Sequence, residues 1–416
     1  MSSPDRGGRK DGWLGFPRTV IGLALTSLFT DTSSEMIFPL LPAFLTLLGA
    51  SNAFIGLVEG AAELVSNVLK YVSGLAADRR TTLKPLVIAG YSVSTVMRPI
   101  MAFAVAPWHV LVIRVFDRVG KGVRTSPRDA LIAEVTDQSI RGKAYGFNRA
   151  ADHAGAAVGT LLSAALLWLF ATRMGWTQSV AMRTVFLIAA VPGLIALAVL
   201  VLTPERARAA APATQPGTEP SPVPRTRRPM PPLFKRALVA VTLFAIANAT
   251  DAFLLVKIAR LGAPVALAPL LWLTLHVIKA ATGTTGGRLS DRYGRRNALI
   301  AGWLVYAVTW GAIGFATSVA AVFVLTAVYG VSHGLVEGAE RALIAQLSGG
   351  NRKGFAFGVY NMGVGVAALV ASTAFGAVWD RWGSIAAFAG SASFAVLAAA
   401  VLLFALPAKP PAESPA

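Results

Sequence analysis

The stretch from Arg114 to Asp129, RVFDRVGKGVRTSPRD, sets a row of basic residues inside a long apolar region. These residues are three or four positions apart, so on a helix they form one cationic stripe beside Asp117. The stripe consists of Arg114, Arg118, Lys121, Arg124 and Arg128. A charge at the centre of a bilayer costs roughly 2.5 to 3.5 kcal/mol, so such residues normally face a bundle interior and mark a substrate or ion path. The stripe therefore predicts a wet cavity or carboxylate partners.

Carboxylates occur in the apolar segments that precede this stripe. Asp31 and Glu35 lie one helical turn apart in FTDTSSEMIFPLLP, and Glu63 follows in the next segment. Burial opposes the ionisation of a carboxyl group and a nearby cation favours it, so these residues are candidates for reversible protonation. The alternative is a fixed ion pair that holds the first and fourth segments together. Glu59, near the outer end of its segment, is predicted to be solvated.

The composition requires that these residues be positioned by membrane helices. Hydrophobic residues make up 55% of the 416 residues and charged residues only 14%, which predicts an all-α integral membrane protein. The net charge of +18 could suggest nucleic-acid binding, but the basic residues lie in short gaps between apolar runs. We therefore expect no nucleic-acid partner. Cysteine is absent, and no motif indicates a metal or a cofactor.

Apolar windows of about 20 residues, the length that crosses a bilayer, divide the chain into two sets of six spans. The first set lies near 19–48, 54–77, 85–106, 108–134, 143–171 and 181–202, and the second near 236–260, 264–286, 297–317, 319–346, 354–378 and 384–406. We predict six-helix bundles at 19–202 and 234–406, joined by a linker at 203–233 that is rich in Pro and Ala. Residues 1–18 and 407–416 are predicted to be cytoplasmic tails.

Lys and Arg are concentrated in the loops on one side of this topology. With both termini inside, nearly all loop cations fall on the cytoplasmic side, which predicts a multi-pass protein of the cell inner membrane with cytoplasmic termini. The lipid bilayer is then its surroundings, and we expect a monomer.

The two halves are copies of each other. Gly74, Asp78 and Arg79 return as Gly287, Asp291 and Arg292, and ALIA at 130–133 returns at 342–345. Chance similarity between apolar helices would not keep this register across loops, so we interpret the chain as a six-plus-six internal repeat. Parallel repeats of this kind are typical of transporters.

At these residues the chain resembles a transporter of the major facilitator superfamily with twelve spans. GRLSDRYGRR, from Gly287 to Arg296, is similar to the loop signature of the superfamily, and the earlier copy GLAADRRTTLK has Thr81 and Thr82 where Gly and Arg are expected. Span four resembles the R-x-x-Q-G-x-G helix of the family, read from Arg114 or, in a shifted frame, from Arg118. DRVGKGVRTSPRDAL is similar to a poorly characterised bacterial branch that resembles drug/proton antiporters. Span five lacks the Pro of the exporter signature.

The resemblance implies that the signature loops clamp the halves together on the cytoplasmic side. The repeat also aligns Arg128 and Asp129 with Glu340 and Arg341, so the same helical positions carry inverted charge. These pairs either bridge the halves or remain local to each half. The predicted cytoplasmic gate is Asp78, Arg79, Arg128, Asp129, Asp291, Arg292, Glu340 and Arg341.

Further cavity candidates follow from position in the span and from the repeat. Asp251 matches Glu35, His276 matches Glu63, and His333 matches Lys121. The full set of predicted cavity residues is Arg98, Arg114, Asp117, Arg118, Lys121, Arg149, Asp152, Asp251, His276, His333, Glu337 and Asn361.

These features predict a secondary transporter working by alternating access, not an enzyme. No phosphate-binding loop is present, so the energy should come from an ion gradient, with protons as the coupling ion. The excess of Arg favours a substrate with carboxylate or phosphate groups. We expect export of a small organic anion or amphipathic compound by proton antiport. The alternatives are uptake or exchange of an organic anion, or a membrane enzyme or sensor built on the same bundle.

Overall fold

The computed structural model describes residues 15–78, 82–137, 140–204, 230–348 and 353–407, and this part of the chain is helical almost throughout, with no β-strand. The helical segments lie where the sequence predicts spans, and we number them accordingly. Span one begins as Arg18–Ile37 and continues through the turn Phe38–Leu40 into Leu41–Leu47. Spans two to six are Asn52–Asp78, Lys84–Ile100, Pro107–Val135, Arg141–Leu167 with its extension Trp168–Arg173, and Gln178–Ile188 followed by Ala190–Leu202.

The second half repeats this plan. Span seven comprises two helices, Pro232–Ala247 and Ala252–Arg260, and spans eight to ten are Leu267–Tyr293, Arg295–Phe315 and Val319–Leu347. Spans eleven and twelve lie within Lys353–Ala405, where the chain turns at Gly383 with φ +86°. A positive φ of this kind favours glycine, because glycine has no Cβ that would clash with the backbone. The result is an all-α membrane fold of two six-helix bundles.

Seven helical stretches in the described part of the chain are long and apolar enough to cross a membrane. They correspond to spans three, five, six, seven, nine and ten and to the stretch Phe355–Ala405 that contains spans eleven and twelve. The remaining segments are spans one, two, four and eight. Each of these carries intramembrane charges or histidine, among them Asp31, Glu63, Lys121 and His276. Hydropathy is therefore lowest in the helices that bear the candidate site.

Glycine allows neighbouring helices to touch backbone to backbone within each half. A Cβ at Gly155 would lie 2.2 Å from the carbonyl oxygen of Leu28, and one at Gly159 would lie 2.3 Å from that of Thr32. Span five therefore packs directly on span one through these two positions. In the second half, a Cβ at Gly286 would lie 1.9 Å from the carbonyl oxygen of Gly334, so spans eight and ten are equally close.

Spans two and eleven make a similar contact between the halves. A Cβ at Gly56 would meet the carbonyl oxygen of Ser372 at 1.9 Å, and one at Gly376 would meet that of Asn52 at 2.2 Å. At the outer end, the Asp380 carboxylate accepts hydrogen bonds from the backbone N–H groups of Asn52 (3.1 Å) and Ala53 (2.9 Å). Span eleven therefore caps the N-terminus of span two, which satisfies N–H groups that a helix start leaves free.

Span seven is interrupted in its middle. The Tyr306 hydroxyl donates to the carbonyl oxygen of Ala247 at 2.9 Å, and the Ser391 hydroxyl donates to the same oxygen. Within the break, the N–H of Thr250 donates to the Ser372 hydroxyl at 3.1 Å. Side chains of neighbouring spans thus replace the lost helical hydrogen bonds, as an irregular backbone at membrane depth requires.

The space between the halves opens on the side where span one begins and span twelve ends, which the loop charges predict to be cytoplasmic. Three charged side chains on the half of their span nearest this side are well exposed: Arg149 (63%), Glu337 (65%) and Arg341 (58%). Charged groups on such helices face water, not lipid. On the opposite side, which we call the outer side, the outer part of span one contacts spans seven and eight, whereas spans two and eleven pack on each other from this side to the cytoplasmic side, where a Cβ at Gly358 would lie 3.0 Å from the Tyr71 ring.

Candidate functional site

The outer part of the cationic stripe is neutralised by carboxylates. Arg114 donates from Nε to Glu59 Oε1 at 3.1 Å and from Nη2 to Glu59 Oε2 at 3.0 Å. The two buried side chains therefore form a bidentate ion pair. Asp117 lies 3.5 Å from Arg114 and 3.6 Å from Arg98, whose Nη1 also donates to the carbonyl oxygen of Thr30 at 3.1 Å. The prediction that Glu59 is solvated is wrong, because this residue lies where Arg114 requires a buried counter-charge.

The inner part of the stripe is also engaged within the first half. Arg124 donates to the Ser94 hydroxyl at 2.7 Å, and its guanidinium lies 4.5 Å from the centre of the Tyr91 ring. Arg128 lies 3.1 Å from Asp129 and 3.7 Å from Asp152. Both cations therefore have partners that hold them in place.

Arg118 and Lys121, in the middle of the stripe, remain without such partners. Within the described part of the chain, neither side chain makes a hydrogen bond or an ion pair, and Lys121 is exposed. The Asp31 carboxylate likewise has no hydrogen bond or ion pair to any described residue, although it interacts electrostatically with Lys121. Neither Asp31, Glu35 nor Glu63 contacts the stripe directly, so the expected carboxylate partners are not the ones it uses.

Glu63 lies at the edge of the open space. Its carboxylate accepts a hydrogen bond from Asn67 Nδ2 at 3.1 Å, and Lys70 donates to Asn67 Oδ1 at 3.2 Å. Glu63 is exposed, although it lies well inside span two. It is therefore open to water and to a substrate.

Glu35 makes a contact between the halves. Its Oε2 accepts a hydrogen bond from the indole Nε1 of Trp272 in span eight at 2.7 Å. The Trp272 ring packs on Phe38 with 4.6 Å between ring centres, and the centre of the His276 ring lies 4.8 Å from that of Trp272, with the two rings at 78°. Trp272 is not among the predicted site residues. The available signal was its position one turn before His276, on the same face of span eight.

A second polar cluster surrounds Asp251, the last residue of the break in span seven. Lys279 Nζ lies 2.9 Å from Asp251 Oδ2, and the Tyr329 hydroxyl donates to Asp251 Oδ1. His333 Nε2 is 2.8 Å from the Tyr329 hydroxyl and 3.9 Å from Asp251. The fold thus brings together two predicted residues, Asp251 and His333, with Lys279 and with a tyrosine that the sequence did not single out.

A cavity of about 180 Å³ lies beside this cluster in the second half. Its polar lining residues are Asn248, Tyr306, Ser332, His333, Glu337, Glu340, Arg341 and Tyr360. The Tyr360 hydroxyl donates to Glu340 at 2.6 Å, and Arg341 lies 3.3 Å from Glu337. Aromatic and aliphatic side chains complete the wall. The cavity can therefore accept a group with both apolar and hydrogen-bonding parts, and Asn361 lies outside its lining.

The sign-inverted charges make local contacts in this conformation. Asp129 pairs with Arg128 and Arg341 pairs with Glu337, each within its own half. Arg149 lies 3.8 Å from Asp152, again within the first half. Of the predicted loop residues, Asp291 and Arg292 are exposed. The side chain of Asp78 and all of Arg79 lie outside the described residues.

In the part of the chain that the structure describes, no group of three His, Asp or Glu residues could hold a metal ion. The chemistry available here is proton exchange at carboxylates and electrostatic binding at Arg and Lys.

Comparison with known proteins gives a consistent result. The family model described as Major Facilitator Superfamily matches residues 23–278 and 261–416. An uncharacterized MFS-type transporter of Methanocaldococcus jannaschii is 29% identical over 395 residues, which cover 93% of this chain and 94% of that protein. Multidrug resistance protein MdtH of Yersinia enterocolitica is 30% identical over 169 residues, 40% of this chain and 41% of that protein. A bacterial homolog of the human lysosomal transporter Spinster, solved in an inward-facing and occupied conformation, has a similar fold, with a TM-score of 0.73, 17% identity, and coverage of 93% of this chain and 96% of that one.

Proposed function

Because the chain belongs to the Major Facilitator Superfamily, and is thus a multi-pass membrane transporter, we propose that it exports a small organic anion or amphipathic compound in exchange for protons. The observation that carries the proposal is the pair Arg118 and Lys121. Among the described residues these cations have neither a hydrogen bond nor an ion pair, although every other basic residue of the stripe has a partner. Cations of this kind at membrane depth favour binding of a carboxylate or phosphate.

The proton-coupling part of the proposal rests on Asp31, with Glu35 and Glu63 as further candidates. Asp31 is close enough to Lys121 for electrostatic interaction but too far for an ion pair. An anionic substrate on Lys121 would weaken the attraction between this cation and the ionised Asp31 carboxylate, which favours protonation of Asp31, and a proton on Asp31 would in turn free Lys121 to bind the anion. Substrate and proton therefore affect each other's binding at neighbouring groups, which is the coupling that proton-driven transport needs.

Export is favoured over uptake by one of the relatives. The partial relative MdtH is named as a multidrug resistance protein, and the apolar wall of the cavity suits amphipathic compounds. Uptake or exchange of an organic anion is the second candidate, because unpaired cations would serve transport in either direction.

Direction and substrate can be tested together. We expect a strain that lacks the protein to accumulate the substrate, and an overproducing strain to lose it and to tolerate more of a toxic analogue. The compound identified by metabolite profiling is then loaded into proteoliposomes, and its efflux is measured with and without an imposed pH gradient. Depletion in the deletion strain would contradict export, and turnover without flux would contradict transport altogether.

A further inference from the structure

The hydrogen bond between Trp272 and Glu35 joins the two halves through a group that can change its charge. Glu35 belongs to span one, Trp272 to span eight, and the donor–acceptor distance is 2.7 Å. Trp272 is only 7% exposed, so water can hardly reach its N–H to accept a hydrogen bond in place of Glu35. A buried N–H that loses its acceptor is costly, which makes this contact a strong link between the halves.

The contact belongs to the closed outer side. Phe38 packs on Trp272, and the Arg114 guanidinium lies 4.9 Å from the centre of the Phe38 ring. The charged and titratable groups around Glu35 come from each neighbouring span. They are Asp31 on span one, Arg114 with its partner Glu59 on spans four and two, and His276 on span eight.

Protonation changes the strength of this hydrogen bond because the indole can only donate. A hydrogen bond to a carboxylate is about twice as strong as one between neutral groups. A protonated Glu35 is a weaker acceptor, and Trp272 offers no acceptor for the added proton. The ionised carboxylate therefore holds span eight against span one more firmly than the neutral acid does.

We propose that Trp272 is a positioning residue that couples the protonation of Glu35 to opening of the outer side. This inference rests on the proposed proton-coupled function. Release of a proton towards the cytoplasm restores the ionised carboxylate and holds the empty carrier closed on the outside. The deprotonated carrier is thereby held closed on the outer side unless bound substrate offsets this hydrogen bond, and an exchanger needs such a restriction if the empty carrier is not to let protons leak.

The chain contains no cysteine, so cysteines introduced for spin labelling are the only sites that react with the label, and the distance between them can be measured directly. Spin labels on cysteines introduced at Leu47 and Arg260, exposed positions at the outer ends of spans one and seven, report the separation of the halves. We expect the wild type to be mostly closed while Glu35 is ionised and to open further once the pH is low enough to protonate it. Trp272→Phe should raise the ratio of open to closed molecules about tenfold at alkaline pH, the effect of losing roughly 1.4 kcal/mol, and should largely remove the response to pH.

Two further variants complete the test. Glu35→Gln should resemble the acidic wild type at every pH. Trp310→Phe is the matched control, because it also removes a buried indole N–H, but one with no acceptor among the described residues. We expect Trp310→Phe to keep the wild-type response to pH.

The inference would be overturned if the distance between the labels did not change with pH in the wild type, or if it changed in Trp272→Phe as it does in the wild type. The measurement requires no substrate, so it is independent of the flux assay. If opening depends on pH and on Trp272 but no compound is exchanged for protons, the proposed function fails while the link between Glu35 and Trp272 stands.

Discussion

Arg114 and Lys121 belong to the same cationic stripe, yet only Arg114 is enclosed by carboxylates. The stripe could be predicted because helical spacing depends on local sequence alone. Its partners could not, because pairing depends on how spans two, three and four pack. Glu59 in particular looked solvated from its place near the end of a span, and only the packed structure brings it to Arg114.

We expect Glu59→Gln to destabilise the protein strongly, because it removes one charge of a buried pair and leaves Arg114 with too little counter-charge. Breaking such pairs costs about 3–5 kcal/mol. Thermal unfolding of the detergent-purified protein measures the effect. Glu63→Gln in the same span is the control, since Glu63 is exposed and has no ion pair among the described residues. Equal unfolding temperatures for both variants would contradict the structural role of Glu59.

Removal of an unpaired cation should act on binding instead. We expect Lys121→Gln to raise the half-saturating concentration of an anionic substrate roughly tenfold, since a hydrogen bond to a charged group contributes about 1.5 kcal/mol. Concentration-dependent flux in proteoliposomes provides the measurement. Lys235→Gln, an exposed change at the start of span seven, should leave the value unchanged. An unaltered value for Lys121→Gln would exclude this residue from the site.

At the scale of the helices, the sequence predicted the order of the spans but not the break in span seven. The residues at the break, Asn-Ala-Thr-Asp, include neither Pro nor Gly, which are the strongest local signals of an interruption. Asn, Thr and Asp form caps and turns readily, but whether they do so inside a span depends on acceptors and donors in other helices. Here Tyr306, Ser372 and Ser391 provide those groups.

Gly286 and Gly283 both lie in span eight, and substitution of each by alanine tests how much the close contact between spans eight and ten contributes to stability. A Cβ at Gly286 would lie 1.9 Å from a backbone oxygen of span ten, whereas one at Gly283 would meet nothing within 4 Å. We expect Gly286→Ala to cost about 1–3 kcal/mol, because rigid backbone must move apart. Gly283→Ala should be neutral or stabilising, since Ala favours the helix. Thermal unfolding distinguishes them, and a tolerated Gly286→Ala would contradict the contact.

At the scale of the whole molecule, the internal repeat predicted two similar bundles but not how they differ at the site. In the first half, Arg118 and Lys121 are unpaired among the described residues, whereas the second half pairs Asp251 with Lys279 and surrounds a small cavity with polar and apolar lining. The gate charges could have bridged the bundles, but Asp129 and Arg341 pair locally here. Such pairings change with the conformation of the carrier, so a sequence alone leaves them open.

Proton coupling is a property of both bundles together. We expect Asp31→Asn to abolish transport driven by a pH gradient while substrate binding and exchange at equal pH remain, because the amide cannot bind the coupled proton. Asp31→Glu, which keeps an acid at this position, should retain part of the driven flux. Both are measured in proteoliposomes. Full gradient-driven flux in Asp31→Asn would move the coupling role to Glu35 or Glu63.

The glycine contact between spans two and eleven also limits which residues of such a carrier can be substituted. At Gly56 and Gly376 one bundle rests on the main chain of the other, so any larger residue at either position would force the bundles apart. Residues that line the cavity face open space and carry no such restriction. A change of cargo is therefore possible by altering the lining alone, whereas substitution of either glycine would disturb the contact between the bundles.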